Sequence, residues 1–455
     1  MRIVHLSTSD SGGGAFRAAF RLHTGLKRLG HQSKMLVMRK ASGDDDVIAL
    51  RPRQDFFGRL RRKILARRIW RDYDKYRPTL PPGIEPFSDD RSEHAGEIVR
   101  QLPDCDVINL HWVGGFLDHE SFFAAYPKQV PLVWRMADMG AMTGGCHYTQ
   151  GCERFTQKCG ACPQLGSRDE HDLSRDVWTR KNRALSSIAA LAETPRVARP
   201  AELHVVGTSQ WIADEAKRSS LLGKFPISVI PNGLDIEEFA PRDKGFSRDL
   251  WNIPRDAKVV LFAAESIANV RKGFRHLADA LAGMTNTENL LLVSVGGGKC
   301  ELPAGLRHLA LGKVSNDRML STIYSAADVF VIPSLQESFG QTVIESLACG
   351  TPVVGFASGG IPDMVRPGET GWLAPTGDTN ALRERIVEAL SDASKRAGMG
   401  ARCRAVAVEE YALDVQARAY AKLYETLLAR VRTAGVSDGP VIGSDPVLRG
   451  FSPSR

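Results

Sequence analysis

Two glutamates stand eight positions apart in Pro333-Ser334-Leu335-Gln336-Glu337-Ser338-Phe339-Gly340-Gln341-Thr342-Val343-Ile344-Glu345. The apolar run 328–332 before them predicts a buried parallel strand. After them Val343, Ile344, Leu347 and Ala348 recur at helical spacing, and Gly350 with Pro352 ends the helix. The order is therefore strand, turn, helix, with one carboxylate on the turn and one on the helix. In an open α/β sheet, ligands bind beyond the carboxyl ends of the strands. Backbone N–H groups around 339–342 are free to hold an anion where the helix begins. Amides for a phosphate and carboxylates for hydroxyls suit a polyol joined to a phosphate. The plainer alternative is an ordinary βα unit with two solvated glutamates.

The surrounding chain supplies the scaffold for such a site. In the second half, strands are expected at 258–263, 290–295, 328–332 and 352–356, with helices at 273–283, 317–326 and 339–349 between them. Parallel sheets need such crossovers. The first half reads the same way. A strand at 2–6 runs into Ser7-Thr8-Ser9-Asp10-Ser11-Gly12-Gly13-Gly14, and a helix follows with Phe16, Phe20, Leu22, Leu26 and Leu29 inward. A glycine turn there lets a ligand approach the backbone closely, although many βα turns carry glycines for no such reason. Further strands are expected at 34–38, 106–110, 131–135, 203–207 and 227–230. Two of them lead to polar residues at their carboxyl ends, His111 and Asp138, each of which reads equally well as a structural group. Asn232-Gly233 marks a tight turn, and the apolar-poor stretch 237–245 begins a linker. Two α/β domains joined near residue 240 leave a cleft between them. The tail, 435–455, is rich in Gly, Pro and Ser and is expected to be disordered.

At 455 residues the chain exceeds one ordinary core. Its net charge of +8 is mild for that length. It suits acidic ligands or anionic membrane surfaces and does not indicate nucleic acid. The first ten residues lack the apolar core of a signal peptide, and no apolar run approaches the ~20 residues that span a bilayer. The expected compartment is the cytoplasm, where clustered cysteines suggest metal before disulfides.

Cys146, Cys152, Cys159 and Cys162 fall within 17 residues, in a loop that holds Gly144, Gly145, Gly151 and Gly160. Four thiolates can close a tetrahedral structural zinc site, and Cys159-x2-Cys162 has the usual knuckle spacing. The Cys146-x5-Cys152 half is looser, and His147 is a further ligand candidate. Reduced packed thiols and redox use are the alternatives. The helix expected at 58–77 carries Arg59, Arg61, Arg62, Lys63, Arg67, Arg68 and Arg71 among Leu60, Ile64, Leu65, Ile69 and Trp70. Such a helix either lies on anionic lipid, at the inner face of the cell membrane, or is a solvated face over a core stripe.

Taken together these residues resemble the retaining glycosyltransferases of family 4. The shared signals are Ala327-Asp328-Val329, Pro333-Ser334, Glu337-x7-Glu345, Gly350-Thr351-Pro352-Val353-Val354, Gly359-Gly360-Ile361-Pro362 and Gly368-x2-Gly371-Trp372-Leu373. Upstream, Arg271-Lys272-Gly273, Pro231-Asn232-Gly233-Leu234-Asp235 and the turn 12–14 also match. The likeness covers about residues 1 to 425. Thr143-Gly144-Gly145-Cys146-His147-Tyr148 resembles a subgroup linked to colanic-acid and other exopolysaccharide synthesis.

The resemblance implies a GT-B fold: α/β, with two Rossmann-like parallel-sheet domains facing across a cleft. Residues 1–240, with the cysteine loop 143–166, would form the acceptor domain. Residues 241–434 would form the nucleotide-sugar donor domain, with the final helix packing back on the first. It implies sugar transfer from a nucleotide diphosphate donor to a glycan or lipid-linked acceptor, with retention and without an essential metal. By matching position Glu337 would contact the sugar hydroxyls, Glu345 the ribose, and Lys272 the diphosphate. Phe339, Gly340 and Gln341 would offer backbone contacts, Gly13 and Gly14 would approach the diphosphate from the other domain, and Asn232 would join them. Arg271, His111 and Asp138 complete the expected catalytic set. Two positions depart from the pattern. Ser266 stands where the family has an Arg, and Ala137 where it has a His. Arg271 and His111 are the candidates to stand in for them. The departures leave a second reading open, a GT-B subunit that binds nucleotide sugar with impaired catalysis.

Overall fold

A computed structural model describes the chain apart from residues 82, 84, 86, 194–202, 286–287, 299–300 and 435–455. The tail expected to be disordered, and Cys300, lie outside the described residues. Among the described residues the chain builds two sheets whose strand pairings are all parallel, as the βα alternation predicts.

The first sheet has seven strands: β1 (Arg2–Ser9), β2 (Gln32–Arg39), β3 (Val47–Ala49), β4 (Val107–Leu110), β5 (Leu132–Met136), β6 (Leu203–Gly207) and β7 (Ile227–Val229). Their order is β3-β2-β1-β4-β5-β6-β7. The second sheet has six: β8 (Lys258–Ser266), β9 (Leu290–Gly297), β10 (His308–Ala310), β11 (Val329–Ile332), β12 (Val353–Phe356) and β13 (Gly371–Ala374). Their order is β10-β9-β8-β11-β12-β13. In both sheets the order reverses beside the first strand of the set, and loops there open into a crevice at the carboxyl ends. The central strands are buried on both faces, which is why they read as continuous Val, Leu and Ile runs rather than alternating ones.

The chain crosses between the sheets twice. After β7 it passes through Leu234. It returns at Ala412 before the last helix, Leu413–Ala434. The two crossings pair with each other: Leu234 N–H donates to the Tyr411 carbonyl at 2.8 Å, and Leu413 N–H to that of Leu234 at 2.8 Å. The last helix packs on the first sheet and its first helix, Gly14–Arg28. Tyr420, Tyr424 and Leu427 close over Ile3, Leu22, Leu26, Val107, Val133 and Val206. The stretch expected to open a linker instead leads into a short helix, Lys244–Leu250, capped by Asp243. The basic helix runs from Phe56 to Asp74 and buries only Gly58. No helix among the described residues is long and apolar enough to cross a membrane.

Candidate active site

The strand-turn-helix singled out in the sequence is β11, the turn 333–340 and the helix Gln341–Ala348. The turn places Glu337 at the cleft and buries it. Lys272 Nζ donates to Glu337 Oε2 at 2.5 Å, and Arg271 Nη1 lies 3.5 Å from the same oxygen. Burial works to raise the Glu337 pKa. The two cations outweigh it and hold the carboxyl below its usual range. Gly273 explains why a glycine follows Lys272. Its φ is +70°, and a Cβ there would sit 1.8 Å from the Pro333 carbonyl oxygen. Only a bare backbone lets the lysine turn lie against the start of the Glu337 turn.

Across the cleft, the glycine turn of the first half meets the second half directly. A Cβ on Gly13 would lie 2.6 Å from Glu265 Oε2, and one on Gly14 would lie 3.6 Å from Gln341 Cγ. Ser338, next to Glu337, ties the walls together. Its Oγ donates to the Ala137 carbonyl at 2.6 Å, and its own carbonyl accepts from Ser209 Oγ at 2.6 Å. Glu337, Lys272, Arg271, Asp138, Asn232, Gly13, Gly14, Phe339, Gly340 and Gln341 therefore border one cleft of about 660 Å³. Ser266 and Ala137 border it too.

Glu345 borders an adjoining cavity of about 540 Å³, which shares Gly13, Gly14 and Gln341 with the cleft. Here the arrangement differs from the simple expectation of a free carboxylate for a ribose. Glu345 Oε1 accepts from Arg21 Nη2 at 3.1 Å, and Oε2 from Tyr324 Oη at 3.1 Å. Arg21 and Arg17 on the first helix reach across to Asp317 and Gln341 as well. Sequence reasoning missed these arginines. Their partners lie about 300 positions away, and no local pattern marks them.

The two expected stand-ins are both engaged by neighbouring side chains. His111 lines a small cavity of about 40 Å³ that adjoins the cleft and shares Trp112, Arg135, Ala137, Asp138 and His147 with it. It is buried, with Nε2 2.8 Å from His5 Nδ1, and burial holds both imidazoles neutral, well below the usual histidine pKa. Arg271 borders the cleft with its charge already engaged. Nε donates to Glu85 at 2.6 Å, Nη1 to the Gln336 carbonyl at 2.8 Å, and the guanidinium lies 3.9 Å from the Tyr148 ring centre. Arg271 instead joins the cysteine loop to the Glu337 turn.

A histidine does stand in the first-half wall, supplied by that loop. His147 Nδ1 lies 2.6 Å from Asp138 Oδ2, which also accepts from Trp112 Nε1 at 2.8 Å. Its Nε2 lies 2.7 Å from Ser88 Oγ, and it borders the cleft with Asp138. The sequence marked His147 only as a metal ligand candidate. Its place beside Asp138 is a long-loop contact that spacing does not reveal.

Cys146, Cys152, Cys159 and Cys162 border one cavity of about 20 Å³, and the seven described cysteines are free thiols. Gly144 N–H donates to Cys159 Sγ at 3.1 Å. Among the described residues, no group of three or more His, Cys, Asp or Glu side chains is placed to hold a metal ion as it stands.

Comparison with known proteins shows the fold first. Over 94% of this chain the fold matches sucrose-phosphate synthase from Thermosynechococcus elongatus, covering all of that chain, with a TM-score of 0.61 at 21% identity. Over 93% it matches WaaG, a glycosyltransferase involved in lipopolysaccharide biosynthesis, covering 99% of that chain, with a TM-score of 0.56 at 16% identity. The fold is GT-B. Residues 257–392 match the family described as glycosyl transferases group 1, so the second half carries a domain of that family. Among curated relatives, D-inositol 3-phosphate glycosyltransferase of Mycobacteroides abscessus is 33% identical over 174 residues, 36% of this chain and 39% of the relative. N-acetyl-alpha-D-glucosaminyl L-malate synthase of Bacillus anthracis is 28% identical over 213 residues, 44% of this chain and 54% of the relative. The chain thus spans about half the length of the curated relatives it matches, or less.

Proposed function

We propose that the protein is a retaining glycosyltransferase that moves a sugar from a nucleotide-diphosphate donor to a glycan or lipid-linked acceptor in surface polysaccharide biosynthesis. Residues 1–240 would hold the acceptor and 241–434 the donor. The observation that carries the reading is the Lys272–Glu337 pair at 2.5 Å in a cleft whose other wall brings Gly13 and Gly14 against it. Breaking the bond from the anomeric carbon to the phosphate oxygen puts negative charge on the departing diphosphate. Lys272 and the amides at the start of the helix Gln341–Ala348 would stabilise it, a contribution that is often the largest catalytic term. Glu337 would take the sugar hydroxyls. Glu345 would take the ribose once Arg21 yields to it. Incubation with UDP-, GDP- or ADP-sugars and an acceptor should release nucleoside diphosphate, and Glu337→Ala should abolish the release. Release that survives that change would remove the assignment.

The second reading, a nucleotide-sugar binding subunit with impaired catalysis, is favoured by Ser266 and Ala137 in the cleft wall. It predicts calorimetric binding of a nucleoside diphosphate with no turnover of any donor.

The basic helix supports peripheral contact with anionic lipid on the cytoplasmic side. Phe56, Phe57, Leu60, Ile64 and Trp70 are 43–75% exposed among its arginines, so no core stripe accounts for them. Vesicles containing phosphatidylserine should float the protein, and replacing Arg61, Arg67 and Arg68 together should release it. The cysteine loop is proposed to take up structural zinc by turning its four thiols into the cavity they share. Metal content well under one equivalent per chain would dismiss that proposal.

A further inference from the structure

Arg135 lies near the end of β5 at the cleft and is 1% exposed. Its Nε and Nη2 both donate to Asn232 Oδ1, at 3.1 and 2.5 Å, and its Nη1 has no hydrogen-bond partner. No carboxylate among the described residues forms an ion pair with it. The other cations bordering the cleft differ. Arg271 has Glu85 and Glu337, Lys272 has Glu337, and Arg39 and Lys313 are exposed to water. The acids that act on Arg135 from a distance are Tyr420, a neutral phenol whose buried hydroxyl has no hydrogen-bond partner, and then Asp138. The Asp138 oxygens are already taken, Oδ1 by Gly140 N–H and Oδ2 by His147 and Trp112. The nearby His5 and His111 are neutral and bring no negative charge. A buried guanidinium without a counter-charge is strongly unfavourable, and its planar fork suits carboxylate and phosphate.

We propose that Arg135 is the anion-binding residue of an acceptor subsite on the floor of the cleft, taking the phosphate or carboxylate of an acidic acceptor at its free Nη1. The proposal rests on the glycosyl-transfer reading and narrows its acceptor to an anionic class. The place of Arg135 supports the acceptor side. It shares the first-half wall with Trp112, Asp138, His147 and Asn232, and does not border the adjoining cavity of Glu345 and Tyr324. The other source of the same chemistry is the donor diphosphate.

The full chain is titrated calorimetrically with inorganic phosphate, alone and with saturating UDP, or GDP or ADP where UDP does not bind. Phosphate is expected to bind in both cases. Arg135→Gln keeps a donor for Asn232 and removes the charge. It should weaken phosphate binding at least tenfold, leave nucleotide affinity within twofold, and melt no lower than the parent. Asn232→Asp, which places a carboxylate against the guanidinium, should weaken phosphate binding equally and serves if the first variant does not fold. Phosphate excluded by the nucleotide would assign the anion to the donor and overturn the proposal. So would phosphate binding unchanged in either variant, or a lower melting temperature with nucleotide affinity lost in both, which would make Arg135 structural. Failure of every nucleoside diphosphate to bind would remove the glycosyl-transfer reading, and a phosphate site lost in both variants would then remain as an anion site of other purpose.

Discussion

Lys272 is held by Glu337 and by the glycine that follows it, and in the proposed reaction it would meet the departing diphosphate. Removing one preorganised charge donor of this kind lowers turnover about a hundredfold, or ~3 kcal/mol. Lys272→Ala is expected to show that loss in kcat, measured as nucleoside diphosphate release. Glu337 adds a pH signature. Its folded pKa lies below the ordinary 4.5, so its ion pairs stabilise the fold fully above that value and are lost as pH falls through the depressed one. Breaking one partner of a buried pair costs about 3 kcal/mol. Glu337→Gln should therefore destabilise the protein by about that much at pH 7, with the difference shrinking in denaturation curves taken below pH ~4. His111 shows what the sequence did not settle at this scale. A histidine at the end of a strand reads as a cleft residue. Beyond the end of β4 its ring is taken up by His5 and lines a small cavity with Trp112, Arg135 and Asp138.

The strand-turn-helix around Glu337 was legible because every local signal agreed: an apolar run, a turn, a 3.6-residue period and a glycine stop. The second-sheet strands near the site were legible for the same reason. β3, β10 and β13 were not legible, although none is shorter than β7; β10 and β13 open on His308 and Gly371 rather than in an apolar run. The basic helix was legible as a helix, but the pattern could not say whether its apolar residues were covered. Gly273 carries the clearest test among the connecting segments. A left-handed residue with a Cβ costs roughly 1–3 kcal/mol before the contact with the Pro333 carbonyl is counted. Gly273→Ala is expected to lower stability by at least ~2 kcal/mol and to lower kcat by shifting Lys272, read from denaturant midpoints and donor turnover on the same preparation.

At the scale of the molecule, burial has placed three imidazoles where protons cannot easily reach them. His5, His111 and His119 are each held well below the usual value of 6.5. The unfolded chain takes up protons at these sites below pH ~6.5 while the folded chain does not. Stability is therefore full above that pH and falls on acidification, by up to ~1.4 kcal/mol per pH unit for each site. Denaturant midpoints should drop between pH 7 and 5.5, and His119→Gln should flatten the slope by about one proton. The two-sheet architecture was readable from the alternation of strands and helices. The cross-cleft arginines were not, because which side chains meet across a cleft depends on how two separate cores dock.

The last helix, Leu413–Ala434, is encoded at the far end of the described chain and yet covers the face of the first sheet formed by Ile3, Val107, Val133 and Val206. During synthesis the seven strands of that sheet leave the ribosome long before their cover does. About 200 residues separate them, roughly 10–40 s at ordinary elongation rates. For that interval the nascent first half presents an apolar face to whatever is nearby. A chain stopped at residue 412 should therefore sediment with aggregates while the full chain stays in the supernatant.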